Sequence, residues 1–249
     1  MRIDFYEEFP TKKNLEKLKM IDFPITLIAA TKSWKYFLEI KRQINKIKRN
    51  VELVYWPSIK TTYWISPFSN TKDLIEFFEE NKKIKHPYLF DLEFPMKNKI
   101  LILKNFFKLW KHKKMIRNFV IQNKNYAILT IYPVQGTVGK SFMRLLGLDY
   151  DVKMKRKLMF YTSYLRGHFM RFLIAHFRKT LERLEDKGDV IMGIGVIAKG
   201  KITKTYLLTP AQLERDLKWC KKAGYNNVAI FRLGGLDKRY LEVIKKFVD

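Results

Sequence analysis

Residues Ile25-Thr26-Leu27-Ile28-Ala29-Ala30 form a short apolar run, and Leu53-Val54-Tyr55-Trp56 form another. Between them, four apolar residues recur at the spacing of one helix face: Phe37, Ile40, Ile44 and Ile47. Two short apolar strands joined by an amphipathic helix are typical of a parallel β–α–β unit. The region 25–56 therefore predicts a strand, a helix and a second strand parallel to the first.

The same pattern recurs along the chain. Eight runs are predicted as strands: Ile3–Tyr6, Ile25–Ala30, Leu53–Trp56, Tyr88–Phe94, Ala127–Tyr132, Leu158–Tyr164, Val190–Ala198 and Val228–Leu233. Alternation of strands and helices favours a parallel sheet, and eight units in 249 residues favour closure into a (β/α)8 barrel of TIM type. No linker rich in Pro, Gly or Ser divides the chain, so residues 1–249 are predicted to form a single barrel domain.

Two segments depart from the simple alternation. The segment from Lys97 to Asn125 is too long for one barrel helix, and its apolar pattern is interrupted by the run Lys111-His112-Lys113-Lys114. It is predicted as an elaborated segment after strand four, with either two helices or one helix and an additional element. The segment from Gln135 to Lys157 has three glycines and many basic residues, which predicts a long loop with a short helix after strand five.

Charge is the most unusual feature of the composition. The chain has 50 Lys and Arg against 24 Asp and Glu, a formal charge of +26, which favours anionic substrates or polyanionic partners. Apolar residues make up 47% of the chain, which excludes a disordered protein. The single cysteine and four scattered histidines predict neither a disulfide framework nor a zinc site. Without an apolar run of about 18 residues or a signal-peptide core, we expect a cytoplasmic protein with no transmembrane segment.

Acidic residues mark a candidate active site at the ends of two strands. In the run Tyr88–Phe94, Phe and Leu at alternate positions suit the helix-facing side, which places Asp91 and Glu93 together inside the barrel. The same alternation in the first strand predicts that the side chain of Glu8 points into the barrel. Functional groups of such barrels lie at the carboxyl ends of strands, and close carboxylates push their pKa values apart, as acid–base catalysis needs. Alternatively, Asp91 and Glu93 form ion pairs with nearby Lys or Arg.

Two short motifs resemble those of a known enzyme family. Phe90-Asp91-Leu92-Glu93 is similar to the end of the Asp-x-Asp-x-Glu signature on strand four of chitinase-like (β/α)8 glycoside hydrolases, and Met159-Phe160-Tyr161 resembles that family's Met-x-Tyr-Asp on strand six. The resemblance implies that Glu93 is the acid, that Asp91 orients the substrate's N-acetyl group and that Tyr161 assists.

The resemblance covers only about ten residues, and the chain departs from the family at three points. Leu89 stands in place of the earlier Asp, Thr162 stands in place of the Asp after Tyr161, and the last strand has no Trp.

The loops after strands seven and eight carry a different signal. Lys199, Lys201 and Arg232 lie there together with the pair Gly234-Gly235. In many barrels these loops bind a phosphate through backbone amides and cationic side chains. Alternatively, the glycine pair only makes the turn into the last helix.

Three functions follow from these patterns. The leading hypothesis is a hydrolase for a carbohydrate or glycan-like substrate, with Glu93 as acid–base, Asp91 as its partner, and Tyr161 and Trp56 positioning the substrate. No cofactor is predicted, although Asp91 and Glu93 could hold Mg²⁺. The second hypothesis is a lyase or isomerase for a phosphorylated small molecule.

The third hypothesis is a barrel without catalysis that binds nucleic acid or an anionic membrane through its basic face. Between Lys97 and Arg117, apolar residues at i, i+3, i+4 and i+7 alternate with lysines: Leu103, Phe106, Phe107 and Trp110, with Lys104, Lys108 and Lys111. The alternative for this segment is an ordinary barrel helix with a charged solvent face.

Overall fold

A computed structural model of the chain shows eight parallel strands that close into a barrel in chain order. The structure describes residues 1–59, 62–95, 99–133, 136–164, 168–184, 187–201 and 206–248. The strands are β1 (Arg2–Glu7), β2 (Ile25–Thr31), β3 (Val51–Pro57), β4 (Tyr88–Asp91), β5 (Ala127–Ile131), β6 (Arg156–Met159), β7 (Val190–Val196) and β8 (Asn227–Phe231). The (β/α)8 prediction is confirmed, and each predicted strand overlaps an observed one.

Helices separate the strands. They are α1 (Lys12–Leu15), α2 (Trp34–Ile47), α3 (Thr71–Asn81), α4 (Lys99–Asn105), α5 (Leu109–Gln122), α6 (Gly136–Leu145), α7 (His168–Leu181), α8 (Pro210–Lys222) and α9 (Lys238–Lys245). The elaboration after β4 consists of two helices, α4 and α5, joined by the 3-10 turn Phe106–Lys108. The segment after β5 contains a ten-residue helix, α6, before an irregular stretch leads into β6. No helix in the described ranges combines the length and the apolar character that crossing a membrane needs.

The core has two layers because strand side chains alternate between the two faces of the barrel wall. Phe90 and Leu92 belong to the large cluster between the barrel and its helices. Leu89 belongs to a smaller cluster inside the barrel, together with Tyr6 and Trp56. The predicted outward face of β4 is therefore confirmed. Its inward face carries Leu89 deep in the barrel and Asp91 nearer the carboxyl end.

Candidate active site

A small cavity of about 40 Å³ lies at the carboxyl end of the barrel strands. Its wall includes three carboxylates, Glu8, Asp91 and Glu93, and one inward-facing lysine, Lys157. Aromatic side chains complete the lining: Tyr6, Trp56, Trp64, Tyr161 and Phe231. The structure thus brings together the three acids that the sequence proposed, and adds a buried amine.

Lys157 reaches this cavity because of its position in β6. Leu158, its neighbour, packs outward against the helices, so Lys157 and Met159 face inward. Across the sheet, Lys157 is the Cα partner of Thr130 in β5, which is itself the partner of Asp91 in β4. Neighbouring strands are about 4.8 Å apart. Lys157 and Asp91 therefore lie two strands apart in paired register.

A glycine on the next strand makes space for this lysine. A Cβ atom at Gly193 would lie 3.1 Å from Cε of Lys157 and 3.0 Å from the carbonyl oxygen of Leu158. It would also lie 3.6 Å from the hydroxyl of Tyr161. The contact with Tyr161 would be an ordinary one, but the contacts with Lys157 and the Leu158 carbonyl would be tight, so glycine at this position leaves Lys157 its place in the barrel interior.

Burial dominates the electrostatics of Lys157. Its side chain is fully buried, and among the described residues it makes no hydrogen bond and no ion pair. Loss of hydration lowers the pKa of Lys157 well below its usual value, and the charge of Asp4 opposes this only in part. The amine therefore has a much larger neutral fraction near pH 7 than an exposed lysine has.

Asp91 is buried beside Trp56. The indole Nε1 of Trp56 donates a hydrogen bond of 3.1 Å to Oδ2 of Asp91. Burial, and to a smaller extent the negative charge of Glu8, raise the pKa of Asp91 to about 7 against the opposing effect of the hydrogen bond from Trp56. Asp91 therefore exchanges protons in the neutral range.

Glu93 lies just beyond the end of β4, although the sequence placed it within the strand. Leu92, between the two acids, bridges to Ile65, which fixes this extension of the chain. Burial raises the pKa of Glu93 well above its usual value, and the charges of Asp91 and Glu8 act in the same direction. Glu93 is thus a candidate proton donor at neutral pH. The Mg²⁺ site proposed at Asp91 and Glu93 stays a prediction.

Glu8 is held at the rim by the loop after β7. The backbone N–H of Lys201 donates a 2.9 Å hydrogen bond to Oε2 of Glu8. A Cβ atom at Gly200 would lie 2.5 Å from the same oxygen, so glycine at this position allows the close approach of loop and carboxylate. Burial raises the pKa of Glu8, while the Lys201 amide and the cations of Arg232 and Lys201 lower it.

The groups predicted to bind phosphate have partners within the chain. Arg232 donates a 2.7 Å hydrogen bond from Nη1 to Oε1 of Glu7, which is fully buried. The N–H of Gly234 donates to the other oxygen of Glu7 at 2.7 Å. A Cβ atom at Gly235 would overlap the carbonyl of Ile197, so this glycine serves close packing. The loop after β8 thus encloses a carboxylate of its own chain.

The remaining predicted site residues lie around the rim. Lys199 is exposed, and its carbonyl accepts a 3.0 Å hydrogen bond from Nε of Arg232. Nζ of Lys201 lies 3.6 Å from the centre of the Tyr63 ring. Tyr161 faces the cavity, with its ring centre 6.0 Å from that of Phe231.

Sequence reasoning missed two residues of this region, Lys157 and Glu7. The sequence prediction began strand six at Leu158, one residue too late to include Lys157. Counting back from Tyr161 in steps of two would have placed Met159 and Lys157 on the same inward face. For Glu7 the sequence has no comparable signal. Its burial depends on Arg232 and Gly234, which are more than two hundred residues away along the chain.

Comparisons with known proteins show little similarity. No family model matches the chain, and no curated protein matches it. One similar solved structure is the crystal structure of MGS-M4, an aldo-keto reductase enzyme from a Medee basin deep-sea metagenome library. The two chains are 10% identical, the match covers 98% of this chain and 90% of that chain, and the TM-score is 0.39. This likeness is too low to assign that enzyme's activity to this chain.

The predicted carbohydrate hydrolase is a wrong prediction. The cavity that holds the three acids is too small for a sugar ring, since its volume of about 40 Å³ accommodates about three water-sized groups. The alternative of a phosphorylated substrate also loses its main support, because Arg232 and the N–H of Gly234 already donate hydrogen bonds to Glu7.

Proposed function

We propose that this chain is an enzyme that binds a small aldehyde or ketone covalently, as a Schiff base on Lys157. The observation that carries the proposal is the position of a fully buried lysine in a cavity whose wall also contains three carboxylates. A desolvated lysine is the side chain that forms Schiff bases with carbonyl substrates, because its neutral amine is nucleophilic.

The carboxylates supply the proton transfers that this chemistry requires. Nζ of Lys157 attacks the carbonyl carbon, and the carbonyl oxygen takes up protons and leaves as water. Formation of the protonated imine consumes one proton, which Glu93 can donate because its raised pKa keeps it protonated. The resulting carboxylate can then accept a proton from the carbon next to the imine.

Two aromatic residues support substrate binding. Among the described residues, the buried hydroxyl of Tyr6 has no hydrogen-bond partner, and Tyr6 lines the cavity. A buried hydroxyl without a partner is costly, and a substrate oxygen would satisfy it. Trp56 holds Asp91 through its indole N–H, which fixes the carboxylate that faces the substrate.

The small cavity favours a substrate whose reacting end is small, while the rest of the molecule extends toward the open mouth. We therefore expect proton exchange or carbon–carbon bond chemistry next to a carbonyl group at that end.

The test is reductive trapping followed by mass spectrometry. The protein is incubated with pyruvate, glycolaldehyde or dihydroxyacetone, reduced with cyanoborohydride and digested. We expect one of these compounds to give a stable adduct on Lys157. The Lys157→Met variant should lose this adduct. The Lys155→Met variant, in which an exposed lysine two residues earlier is replaced, should keep it. Equal labelling of wild type and Lys157→Met, with adducts confined to surface lysines, would contradict the proposal.

A further inference from the structure

A large exposed apolar surface lies on the helices that follow β4 and β5. Its members are side chains of α4, the 3-10 turn, the start of α5, and α6: Ile100, Leu103, Phe106, Phe107, Trp110, Val138, Phe142 and Leu145. Phe107 is 93% exposed, Val138 82% and Leu103 75%. Single exposed apolar residues are ordinary, but a contiguous group of this size marks a contact surface. We refer to these eight residues as the exposed apolar patch.

The two halves of the exposed apolar patch are adjacent. Nζ of Lys113 in α5 lies 4.9 Å from the centre of the Trp110 ring. The same atom donates a hydrogen bond of 3.4 Å to the carbonyl oxygen of Leu145, at the end of α6. Val138 and Phe142 precede Leu145 at i−7 and i−3 on the same helix, and so extend the surface along one face.

The charge around the exposed apolar patch has one sign. The sequence has no Asp or Glu between Glu93 and Asp149, a stretch that includes α4, α5 and α6. Exposed cations flank the apolar side chains: Lys104, Lys108, Lys111, Lys114, Arg117 and Lys140. The segment contributes strongly to the overall charge of +26. An apolar surface surrounded by cationic side chains is complementary to a layer that has an anionic surface and an apolar interior.

We propose that the exposed apolar patch binds the surface of a membrane rich in anionic phospholipids. Phe106, Phe107 and Trp110 enter the boundary between headgroups and acyl chains, and the flanking lysines contact lipid phosphates. A nucleic acid fits less well. Aromatic rings can stack on bases, but Leu103, Val138 and Leu145 offer no ring for stacking. This inference is independent of the Schiff-base proposal, because it uses no residue of the cavity.

The experiment is sedimentation with sucrose-loaded vesicles of phosphatidylcholine, with or without about 30% phosphatidylserine. At about 0.15 M salt (a Debye length near 8 Å), we expect the full chain to bind the anionic vesicles at least about tenfold more strongly than the neutral ones. Replacing Phe107 and Trp110 by Ser should lower the binding about tenfold or more. Both residues are exposed, so the fold should survive.

A second pair of variants distinguishes vesicle binding through the lysines next to the exposed apolar patch from a general effect of the net charge. Lys104→Gln, Lys108→Gln and Lys111→Gln in one chain should weaken vesicle binding at least about tenfold. The matched control replaces three exposed lysines elsewhere, Lys32, Lys35 and Lys46, by Gln and should change binding by less than about twofold.

Three results would overturn the proposal. One is equal binding to neutral and anionic vesicles by wild type and by both lysine variants. Another is binding to a single-stranded oligonucleotide through Phe107 and Trp110 without binding to vesicles. The third is a concentration-dependent dimer, abolished by the Phe107 and Trp110 replacements, in a protein that does not sediment with vesicles.

Discussion

Nζ of Lys157 lies 2.8 Å from the centre of the Tyr6 ring, deep inside the barrel. The face of an aromatic ring attracts a cation, but it replaces only part of the hydration that Lys157 loses on burial. No carboxylate within the described residues forms an ion pair with this amine. The balance lowers the pKa of Lys157, which gives the amine its nucleophilic form and makes the native state sensitive to acid.

Replacing Lys157 by Met should stabilise the protein near pH 7. Because the folded-state pKa lies below the unfolded value, the unfolded chain binds more protons in the interval between them, and stability increases with pH there. Met keeps the volume without the charge. We expect the free energy of unfolding near pH 7 to be higher for the variant than for wild type.

Urea denaturation between pH 6 and pH 10 measures this effect. The stability advantage of Lys157→Met should shrink as the pH approaches 10, while Lys155→Met should match wild type throughout. A destabilised Lys157→Met variant at every pH would show that the amine makes a favourable buried contact instead.

Replacing Asp91 by Asn should stabilise the protein at pH 8 but not at pH 4. Burial raises the pKa of Asp91 to about 7, above its unfolded value near 4. The contribution of Asp91 to the free energy of unfolding is therefore fully present below about pH 4 and is lost as the pH rises to about 7. Asn keeps an oxygen that can accept the hydrogen bond from Trp56. We expect a gain of at least about 1 kcal/mol at pH 8.

Thermal unfolding at several pH values gives the comparison. Asp73→Asn on α3, outside the cavity, serves as the control for the loss of one carboxylate. A gain of equal size at pH 4 and pH 8 would refute the titration of Asp91.

Removing Arg232 should strongly destabilise the loop after β8. Glu7 is fully buried, and Arg232 is its cationic partner at 2.7 Å. The Arg232→Met variant leaves the carboxylate without this partner, and loss of one member of a buried pair costs about 3–5 kcal/mol. Adding Glu7→Gln should recover at least about 1 kcal/mol, because it removes the uncompensated charge. A double-mutant cycle from urea denaturation measures the coupling, and strictly additive effects would argue against the pair.

Adding a methyl group at Gly200 should disturb the rim of the cavity. The new Cβ would lie 2.5 Å from Oε2 of Glu8 and 2.7 Å from Cζ of Phe231. We expect Gly200→Ala to lower stability by about 1–3 kcal/mol, as overpacking usually does. Gly188→Ala is the matched control, since nothing lies within 4 Å of its added Cβ. Equal thermal unfolding temperatures for the two variants would show that the loop moves away without cost.

Local sequence signals predicted the elements of the fold well. Thr209, Pro210 and Gln212 predict the start of a helix, and α8 begins there with a capping box between Thr209 and Gln212. At the start of α9, the side chain of Asp237 accepts a hydrogen bond from the N–H of Tyr240. These interactions join residues three positions apart, so they are present in the sequence pattern itself. The alternation in Tyr88–Asp91 likewise predicted which side chains would face the helices.

By itself, the sequence determined the eight strands, their helices and the inward direction of Asp91 and Glu8, because periodicity and capping depend on neighbours along the chain. Only the tertiary structure decided which further groups share the cavity with these acids. Closure of the barrel places Lys157 two strands from Asp91 and surrounds it with apolar and aromatic groups. It also brings Arg232 to Glu7 across the first and last strands. The pKa of a side chain and the partner of a buried charge depend on such distant groups, since burial and electrostatic interaction act through space and not along the chain.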